Sequence, residues 1–462
     1  MAELMTAPER AKRGKIARQT LALEEHARVD GAAVDVLAVL RADDRGRIPE
    51  LVPVRHGRML ASPFAYYRGS AAVMAADLAA VPSSGLRAQL CGDAHLSNFG
   101  VYSTPERRLV FDVNDFDETL PGPFEWDVKR LAASIALVGR ANGHRRRERE
   151  LAQLATVAMY RQSMRRFAKM GNLAVWYASL DVDRAMAELA PKITAADRRR
   201  TRARLDRART RDNADALRKL TRTAGGHARF IHDPPLIVPL AELLTDVEAT
   251  SVRATLLDIL RAYRGTLVED RRRLLDQFEL VDIARKVVGV GSVGTRAWVL
   301  LFRGRDDNDA LVLQAKEARS SVLEPYCGRS EYVNAGHRVV VGQRVMQAAS
   351  DIFLGWERHP GIDAEVRDFY VRQLRDGKAS ADVEDMNTRR LEVYGELCAW
   401  TLARAHARSG DRFAIAAYLG KTDAFERAVS QFAEAYADRT ESQYRALHDA
   451  AERGTVPAVT GI

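Results

Sequence analysis

The spacing of apolar side chains separates helical regions of the chain from strand-forming ones. From about residue 127 to 220, and again beyond residue 330, apolar residues recur three and four positions apart, which is the period of one helix face. Residues 285–317 are instead β-branched and apolar, with turns rich in Gly, Asp and Asn. This segment predicts three strands, at 285–289, 296–302 and 310–316. The whole pattern predicts an α+β protein.

Composition limits the partners and the localisation. The 462 residues include 71 basic and 62 acidic side chains, and this formal charge of +9 favours anionic partners such as nucleotides. We do not expect nucleic acid as a partner, because the basic stretch at residues 192–220 interleaves Asp with Arg and has no aromatic residues to stack on bases. Three isolated cysteines and the lack of a long apolar run predict a cytoplasmic protein without a membrane span.

The segment CGDAHLSN, at residues 91–98, carries the first candidate chemistry. Asp93 stands five residues before Asn98. Phosphoryl transfer uses such a pair on a rigid loop, where a carboxylate accepts the proton of the attacking hydroxyl and a carboxamide oxygen ligates Mg²⁺. Alone, this spacing is also typical of an ordinary turn.

A group of acids follows this segment and favours the catalytic interpretation. In LVFDVNDFDE, residues 109–118, an apolar strand runs directly into Asp115 and Asp117. Mg²⁺ takes oxygen ligands, usually one or two of them carboxylates. We therefore expect Asp115 to be the first metal ligand. Asp117, on the same face of the strand, and Asp112, on the opposite face, remain alternatives.

A glycine-rich segment lies at the first turn between the predicted strands. Gly289, Gly291 and Gly294 form GxGxxG, but the next residues, TRAWVLLF, indicate a strand instead of the helix that a dinucleotide-binding motif requires. A Gly-rich turn between two antiparallel strands is the arrangement with which kinases cover nucleotide phosphates. Arg296 stands where kinases place a valine, so the match is partial.

Lys316 ends the third predicted strand and is one of only ten lysines in an arginine-rich chain. A lysine on this strand neutralises nucleotide phosphates and is held by a helix glutamate, for which Glu324 and Glu331 are the candidates. Arg68, after a tyrosine, could place a second cation near the nucleotide or the substrate, or it could brace a helix. We attribute most other arginines to ion pairs on the surface.

The two acidic motifs, GDAHLSNFG and FDVNDFDE, resemble those of the aminoglycoside phosphotransferase branch of the protein-kinase-like superfamily. This resemblance implies that Asp93 is the catalytic base. It also implies that Asn98 and Asp115 hold the metal, and that His95 organises the loop.

The same branch has an aspartate at the start of a later helix that braces the loop, and Asp127 in GPFEWDVKRLAAS matches it. Cys91 departs from the pattern, because that branch has a histidine there. The catalytic loop precedes the glycine-rich hairpin, which reverses the order of ordinary kinases. A circular permutation explains this order. It places the predicted helix 391–408 behind residues 91–98.

Most of the chain resembles the bacterial family named domain of unknown function 2252, which is grouped with kinase-like folds. The segments that carry this resemblance are LVPVRHGRMLASPFAYYRGSAAVMAADLA, QLCGDAHLSNFG, VFDVNDFDETLPGPFEWDVKRLAAS, GQRVMQAASDIFLGW and FAEAYADRTESQY. The resemblance implies a two-lobed fold in permuted order. We divide the chain into a basic N-terminal arm (1–60), a helical part with the catalytic loop and metal site (61–280), a nucleotide-covering β-rich lobe (281–356) and C-terminal helices that complete the large lobe (357–462).

These motifs predict an ATP- and Mg²⁺-dependent phosphotransferase that acts on a hydroxyl of a small molecule or a protein. Transfer of AMP on the same fold is one alternative, and a non-catalytic nucleotide-binding or interaction module is another. The presence of Asp93, Asn98, Asp115 and Lys316 together argues against the non-catalytic module. The sequence does not identify the acceptor.

Overall fold

A computed structural model gives the chain a mixed α+β architecture, as the apolar pattern predicts. Among the residues that it describes, no helix is long and apolar enough to cross a membrane. Parts of two predicted segments fall outside these residues, namely 192–193 and 211–212 in the basic stretch and residue 288 in the first strand. The structure describes residues 5–31, 34–189, 191, 194–210, 213–224, 227–243, 257–287, 289–306, 309–360, 365–374 and 377–461.

Helices precede, interrupt and follow the strands. Residues 257–265 are also helical but are given no label. The labelled helices follow. In chain order these are α1 Ala7–Thr20, α2 Val36–Asp44, α3 Val52–Met59, α4 Pro63–Gly69, α5 Ala71–Ala79, α6 Phe124–Ala141, α7 Arg146–Phe167, α8 Asn172–Tyr177, α9 Val182–Leu189, α10 Ala195–Thr210, α11 Asn213–Leu220, α12 Leu240–Leu243, α13 Glu269–Leu275, α14 Glu324–Cys327, α15 Ala335–Met346, α16 Thr388–Ser409, α17 Arg412–Leu419 and α18 Ala424–Glu452.

The strands form one large sheet and three small ones within the described residues. The large sheet has the order β11–β12–β10–β9–β8–β7, with every neighbouring pair antiparallel. The strands are β1 Arg87–Leu90, β2 Phe99–Ser103, β3 Leu109–Val113, β4 Leu120–Pro123, β5 Thr221–Ala224, β6 His227–Phe230, β7 Ile237–Pro239, β8 Glu279–Lys286, β9 Ala297–Arg303, β10 Ala310–Ala318, β11 Gly355–Pro360, β12 Val366–Gln373 and β13 Ala379–Ser380.

Two of the three predicted strands lie where the sequence places them, as β9 and β10. The first starts earlier than predicted, because β8 begins at Glu279. Its polar residues have partners: Glu279 pairs with Arg303 at 2.8 Å, and Asp282 accepts a hydrogen bond from the Phe230 N–H at 2.8 Å. Because these positions are polar, the apolar pattern of the sequence does not reveal where this strand begins.

The large sheet takes strands from a wider range than residues 281–356. Strands β7 and β8 begin before that range, and β12 follows it in the chain. Strand β12 pairs with both β10 and β11, so it lies inside the sheet and not at its edge. Apolar clusters cover both faces of the sheet, one around Phe302 and Leu313 and the other around Leu301 and Val312.

The two acidic motifs lie on neighbouring loops beside the small sheets. Residues 91–98 connect β1 to β2, and residues 114–119 connect β3 to β4. Strand β2 pairs with β3, and β1 pairs with β4, so both loops leave the strands at the same place. The Asn114 N–H donates to the Asn98 carbonyl oxygen at 2.8 Å, which links the loops directly.

Some arginines belong to the interior, although we attribute most of them to the surface. Arg55, Arg338 and Arg404 are among the largest fully buried side chains of the described residues. Arg404 Nη2 donates to both carboxylate oxygens of Asp112, at 2.7 and 2.8 Å. The Ala348 N–H donates to Asp112 Oδ2 at 2.8 Å. Asp112 is therefore occupied by a buried ion pair, which argues against its alternative role as a metal ligand.

We expect Asp112→Ala to lower the free energy of unfolding by about 3–5 kcal/mol, because it leaves the buried Arg404 charge without a partner. Urea denaturation followed by circular dichroism measures this loss. Asp382→Ala is a matched control, since Asp382 pairs with Arg204 at 3.4 Å on the surface and should contribute less than about 1 kcal/mol. Equal losses in the two variants would contradict this assignment.

Candidate active site

Asp127 of α6 holds the loop between β1 and β2. Its carboxylate accepts hydrogen bonds from the backbone N–H groups of Cys91, at 2.8 Å, and Gly92, at 3.1 Å. His406 Nε2 lies 3.3 Å from the same carboxylate. Gly92 has φ +82°, and a Cβ there would lie 2.4 Å from the Glu118 carbonyl oxygen. The bracing predicted for Asp127 is thus present, and the cysteine does not weaken it because the contacts are to the backbone.

The predicted helix 391–408 corresponds to α16, and it packs behind this loop. The Tyr394 hydroxyl hydrogen-bonds to the carbonyl oxygens of Leu96, at 3.1 Å, and Phe99, at 2.9 Å. The loop is therefore held by helices from two distant parts of the chain, α6 and α16.

Asp93 lies in this loop with an arginine as its main partner. Arg130 Nε donates to Asp93 Oδ1 at 2.5 Å, and His95 Nε2 lies 3.5 Å from Asp93 Oδ2. Burial raises the pKa of Asp93 above its ordinary value, and the charge of Arg130 offsets this only in part. Burial also keeps the pKa of His95 well below its ordinary value, so the imidazole is neutral at pH 7.

Arg130 belongs to the site, and the sequence motifs do not reveal it. Its Nη2 donates to the Tyr67 carbonyl oxygen at 2.8 Å, and its guanidinium lies 4.2 Å from the centre of the Tyr67 ring. Arg130 thereby connects Asp93 to α4. Its position in the sequence could have identified it, because Arg130 stands three residues after Asp127 and both side chains therefore lie on one face of α6.

Asn98 and Asp115 offer oxygen atoms suited to a divalent cation. Asn98 Nδ2 donates to the Asp93 carbonyl oxygen at 2.7 Å, which leaves the carboxamide oxygen without a donor in the described part of the chain. Asp115 forms no ion pair with any described residue. Burial and the neighbouring carboxylate of Asp117 raise the pKa of Asp115. Such a donor set fits Mg²⁺, which binds carboxylate and carboxamide oxygens.

Lys316 of β10 meets these acids and pairs with Asp117. Its Nζ lies 2.6 Å from Asp117 Oδ2 and 3.3 Å from Ser292 Oγ. The Tyr370 hydroxyl donates to Asp117 Oδ1 at 2.6 Å. Burial alone would lower the pKa of Lys316, but the charges of Asp115 and Asp117 outweigh it and raise the pKa. Lys316 lowers the pKa of Asp117 in turn, so both groups are charged at pH 7.

The structure gives Lys316 an aspartate partner instead of the glutamates that we predict. Glu324 is in the first turn of α14 and accepts a hydrogen bond from the Ser321 N–H at 3.3 Å, whereas Glu331 is exposed. Helices α11 and α15 both contact β10, and the sequence of α15, AGHRVVVGQRVM, contains no acidic residue. Asp117 takes this role because its loop lies directly opposite the lysine.

Arg47, which follows α2, holds the centre of the glycine-rich loop. Its Nη1 donates to the carbonyl oxygens of Gly291, at 2.8 Å, and Val293, at 2.7 Å. Its Nε and Nη2 donate to the carbonyl oxygen and the carboxylate of Asp43, at 3.1 and 3.0 Å. One guanidinium therefore couples the position of the loop to α2.

The two ends of the loop are held in a similar way. Arg58 of α3 donates to the Gly289 carbonyl oxygen at 2.6 Å, and the Ile48 N–H donates to the Gly294 carbonyl oxygen at 2.7 Å. Gly289 and Gly294 have φ values of +64° and +87°. Other residues adopt this region only with strain, so the backbone itself requires glycine at both positions.

These groups surround a cavity of about 170 Å³ between the glycine-rich loop and the acidic loops. Lys316 does not line the cavity itself, but its Nζ contacts two residues that do, Asp117 and Ser292. Gly294, Glu324 and Glu331 are described by the structure but do not line the cavity. The predicted residues that line it are Arg68, Asp93, His95, Asn98, Asp115, Asp117, Gly289 and Gly291.

A family model described as an uncharacterized protein conserved in bacteria (DUF2252) matches residues 47–450. The chain belongs to the DUF2252 family. This match confirms the resemblance of most of the chain to the DUF2252 family. The matched range of the DUF2252 family includes Arg47, residues 91–98 and Lys316. No curated protein and no solved structure matches the chain.

In this DUF2252 protein, Arg47→Ala should release the glycine-rich loop while the rest of the chain stays folded. We expect amide hydrogens of residues 289–296 to exchange at least about tenfold faster, because each hydrogen bond from a charged group contributes about 1.5–3 kcal/mol. Hydrogen–deuterium exchange with mass spectrometry measures this change. Arg45→Ala is the control, since Arg45 is exposed and lies two residues away. Similar exchange in both variants would show that Arg47 does not hold the loop.

Proposed function

We propose that this protein is an ATP- and Mg²⁺-dependent phosphotransferase of the protein-kinase-like type. The observation that supports this most directly is that Asp93, Asn98 and Asp115 line one cavity beneath a glycine-rich loop, and that Lys316 contacts Asp117 in the wall of this cavity. Kinases use a catalytic aspartate, an asparagine and an aspartate for the metal, and a strand lysine for the phosphates. The four residues occur here in the same chemical combination.

Each residue has a defined task in this proposal. Asp93 accepts the proton of an acceptor hydroxyl, whose oxygen then bonds to the γ-phosphorus of ATP. The bond between that phosphorus and the β,γ-bridging oxygen breaks, and ADP leaves. Lys316 neutralises charge on the nucleotide phosphates. Asn98 and Asp115 hold Mg²⁺, which when bound neutralises the charge of the triphosphate.

The order of elements supports a circular permutation of the kinase-like fold. Strands β8 and β9 flank the glycine-rich loop, Lys316 lies on the next strand, and α15 follows. Kinases have the same succession of loop, lysine strand and helix, but ahead of the catalytic loop. Here the succession comes later in the chain, and α16, which follows it, packs behind the catalytic loop.

Nucleotide binding is the first test of this function. MgATP should raise the melting temperature of the wild type, and Lys316→Ala and Asp115→Ala should each weaken binding at least about tenfold, which corresponds to about 1.4 kcal/mol. Thermal shift and isothermal titration calorimetry measure both effects. Lys421→Ala, at an exposed lysine, is the control. Absence of any stabilisation of the wild type by MgATP would refute the proposal.

Group transfer is the second test. Asp93→Asn should keep MgATP binding and lose transfer by about 10²–10⁴-fold, because the base is missing while the nucleotide contacts remain. Parallel incubations with γ-labelled and α-labelled ATP identify the transferred group. Transfer of the α label would favour AMP transfer over phosphoryl transfer. Full activity of Asp93→Asn would remove Asp93 as the base.

A further inference from the structure

Three arginines among the described residues line the cavity, and Arg68 differs from the other two. Arg47 donates hydrogen bonds to the glycine-rich loop. Arg319 donates to the carbonyl oxygens of Asp43, at 3.0 Å, and Arg45, at 2.8 Å. The guanidinium of Arg68 makes no hydrogen bond or ion pair with any described residue, and its Nε is buried without a partner. A guanidinium at a cavity with none of its donors bonded is unfavourable, which favours a ligand as the acceptor.

The backbone on both sides of Arg68 is fixed by buried arginines. Arg130 Nη2 donates to the Tyr67 carbonyl oxygen at 2.8 Å, and Arg55 Nη2 donates to the Gly69 carbonyl oxygen at 2.8 Å. The next residues that line the cavity are Gly69, Ala71 and Ala72, which are too small to cover the guanidinium. The backbone at Arg68 is therefore held in place as part of the cavity wall and is not a mobile surface segment.

The carboxylates around Arg68 do not neutralise it. The electrostatic influences that favour its charged form come from Asp93 and the exposed Glu384, and neither forms an ion pair with it. Asp93 already pairs with Arg130. Two further acids in the cavity wall are also paired, Asp43 with Arg55 and Arg47, at 2.6 and 3.0 Å, and Glu317 with Arg296 and Arg367, at 3.4 and 3.6 Å.

We propose that Arg68 binds an anionic group of the acceptor, a phosphate or a carboxylate, while the acceptor hydroxyl approaches Asp93. This inference rests on the proposed function and names its substrate class. Arg68 directly follows Tyr67, whose carbonyl oxygen is bound by Arg130, the partner of Asp93, whereas Lys316 pairs with Asp117. The acceptor site and the nucleotide site therefore each have a cation of their own.

This substrate class differs from aminoglycosides, which carry ammonium groups. An ammonium group next to Arg68 would be repelled, and two acids of the cavity wall, Asp43 and Glu317, are held by arginines. A hydroxyl compound that carries a phosphate or carboxylate has the complementary charge. Phosphorylated sugars and phosphorylated polyols are members of this class.

The test uses the full chain and compounds that differ in charge. Isothermal titration calorimetry measures binding of glucose 6-phosphate, glycerol 3-phosphate, glucose and glucosamine, with and without the non-hydrolysable nucleotide AMP-PNP and Mg²⁺. We compare the wild type, Arg68→Ala, Arg68→Lys and the exposed control Arg45→Ala. The phosphorylated compounds should bind the wild type and Arg45→Ala and lose at least about tenfold in affinity in Arg68→Ala, because a charge-assisted contact is removed. Arg68→Lys should restore part of the affinity.

Several results would overturn this inference. Equal affinity of the wild type and Arg68→Ala for the phosphorylated compounds would do so, as would preferential binding of glucosamine or no binding of any anion. A large loss of AMP-PNP affinity in Arg68→Ala would assign the arginine to the nucleotide instead. If AMP-PNP fails to bind any variant, the proposed function fails, but an Arg68-dependent loss of phosphate binding still supports an anion site.

Discussion

The ion pair between the buried Lys316 and the partly buried Asp117 joins the two parts of the molecule that form the cavity. The lysine belongs to the six-stranded sheet, and the aspartate belongs to the loop between β3 and β4. Loss of one partner would leave the other charge poorly solvated, at roughly 3 kcal/mol or more. Asp115 lies next to the pair and forms no ion pair within the described part of the chain, so its carboxylate is open to the metal ion that we propose.

Around this pair, arginines hold backbone carbonyl oxygens and thereby position the loops. Arg338 is fully buried and donates to the carbonyl oxygens of Asp117, at 2.8 Å, and Thr119, at 2.6 Å. Arg47 does the same for the glycine-rich loop, and Arg130 for the turn before Arg68. The planar guanidinium has several donors in a fixed geometry and can bridge two segments, which an ammonium cannot do as well. The arginine-rich composition thus contributes to the interior as well as to the surface.

The sequence predicts the parts of this site whose residues lie close together in the chain. The spacing of Asp93 and Asn98, the acids after β3 and the glycines at positive φ follow from local rules of loops and strands. The partner of Lys316 depends on how the sheet packs onto the acidic loop, which is far away in the sequence. A local sequence pattern does not show that the two segments are in contact. Strand β8 is incompletely predicted because its polar residues find partners only in the folded sheet.

A crystal structure of the chain with Mg²⁺ and AMP-PNP tests the central claim most directly. We expect the nucleotide to lie beneath the glycine-rich loop, with the metal bound by Asn98 and Asp115. Lys316 Nζ should then contact phosphate oxygens and not only the carboxylate of Asp117. A nucleotide bound elsewhere, or a metal that contacts neither Asn98 nor Asp115, would contradict the account.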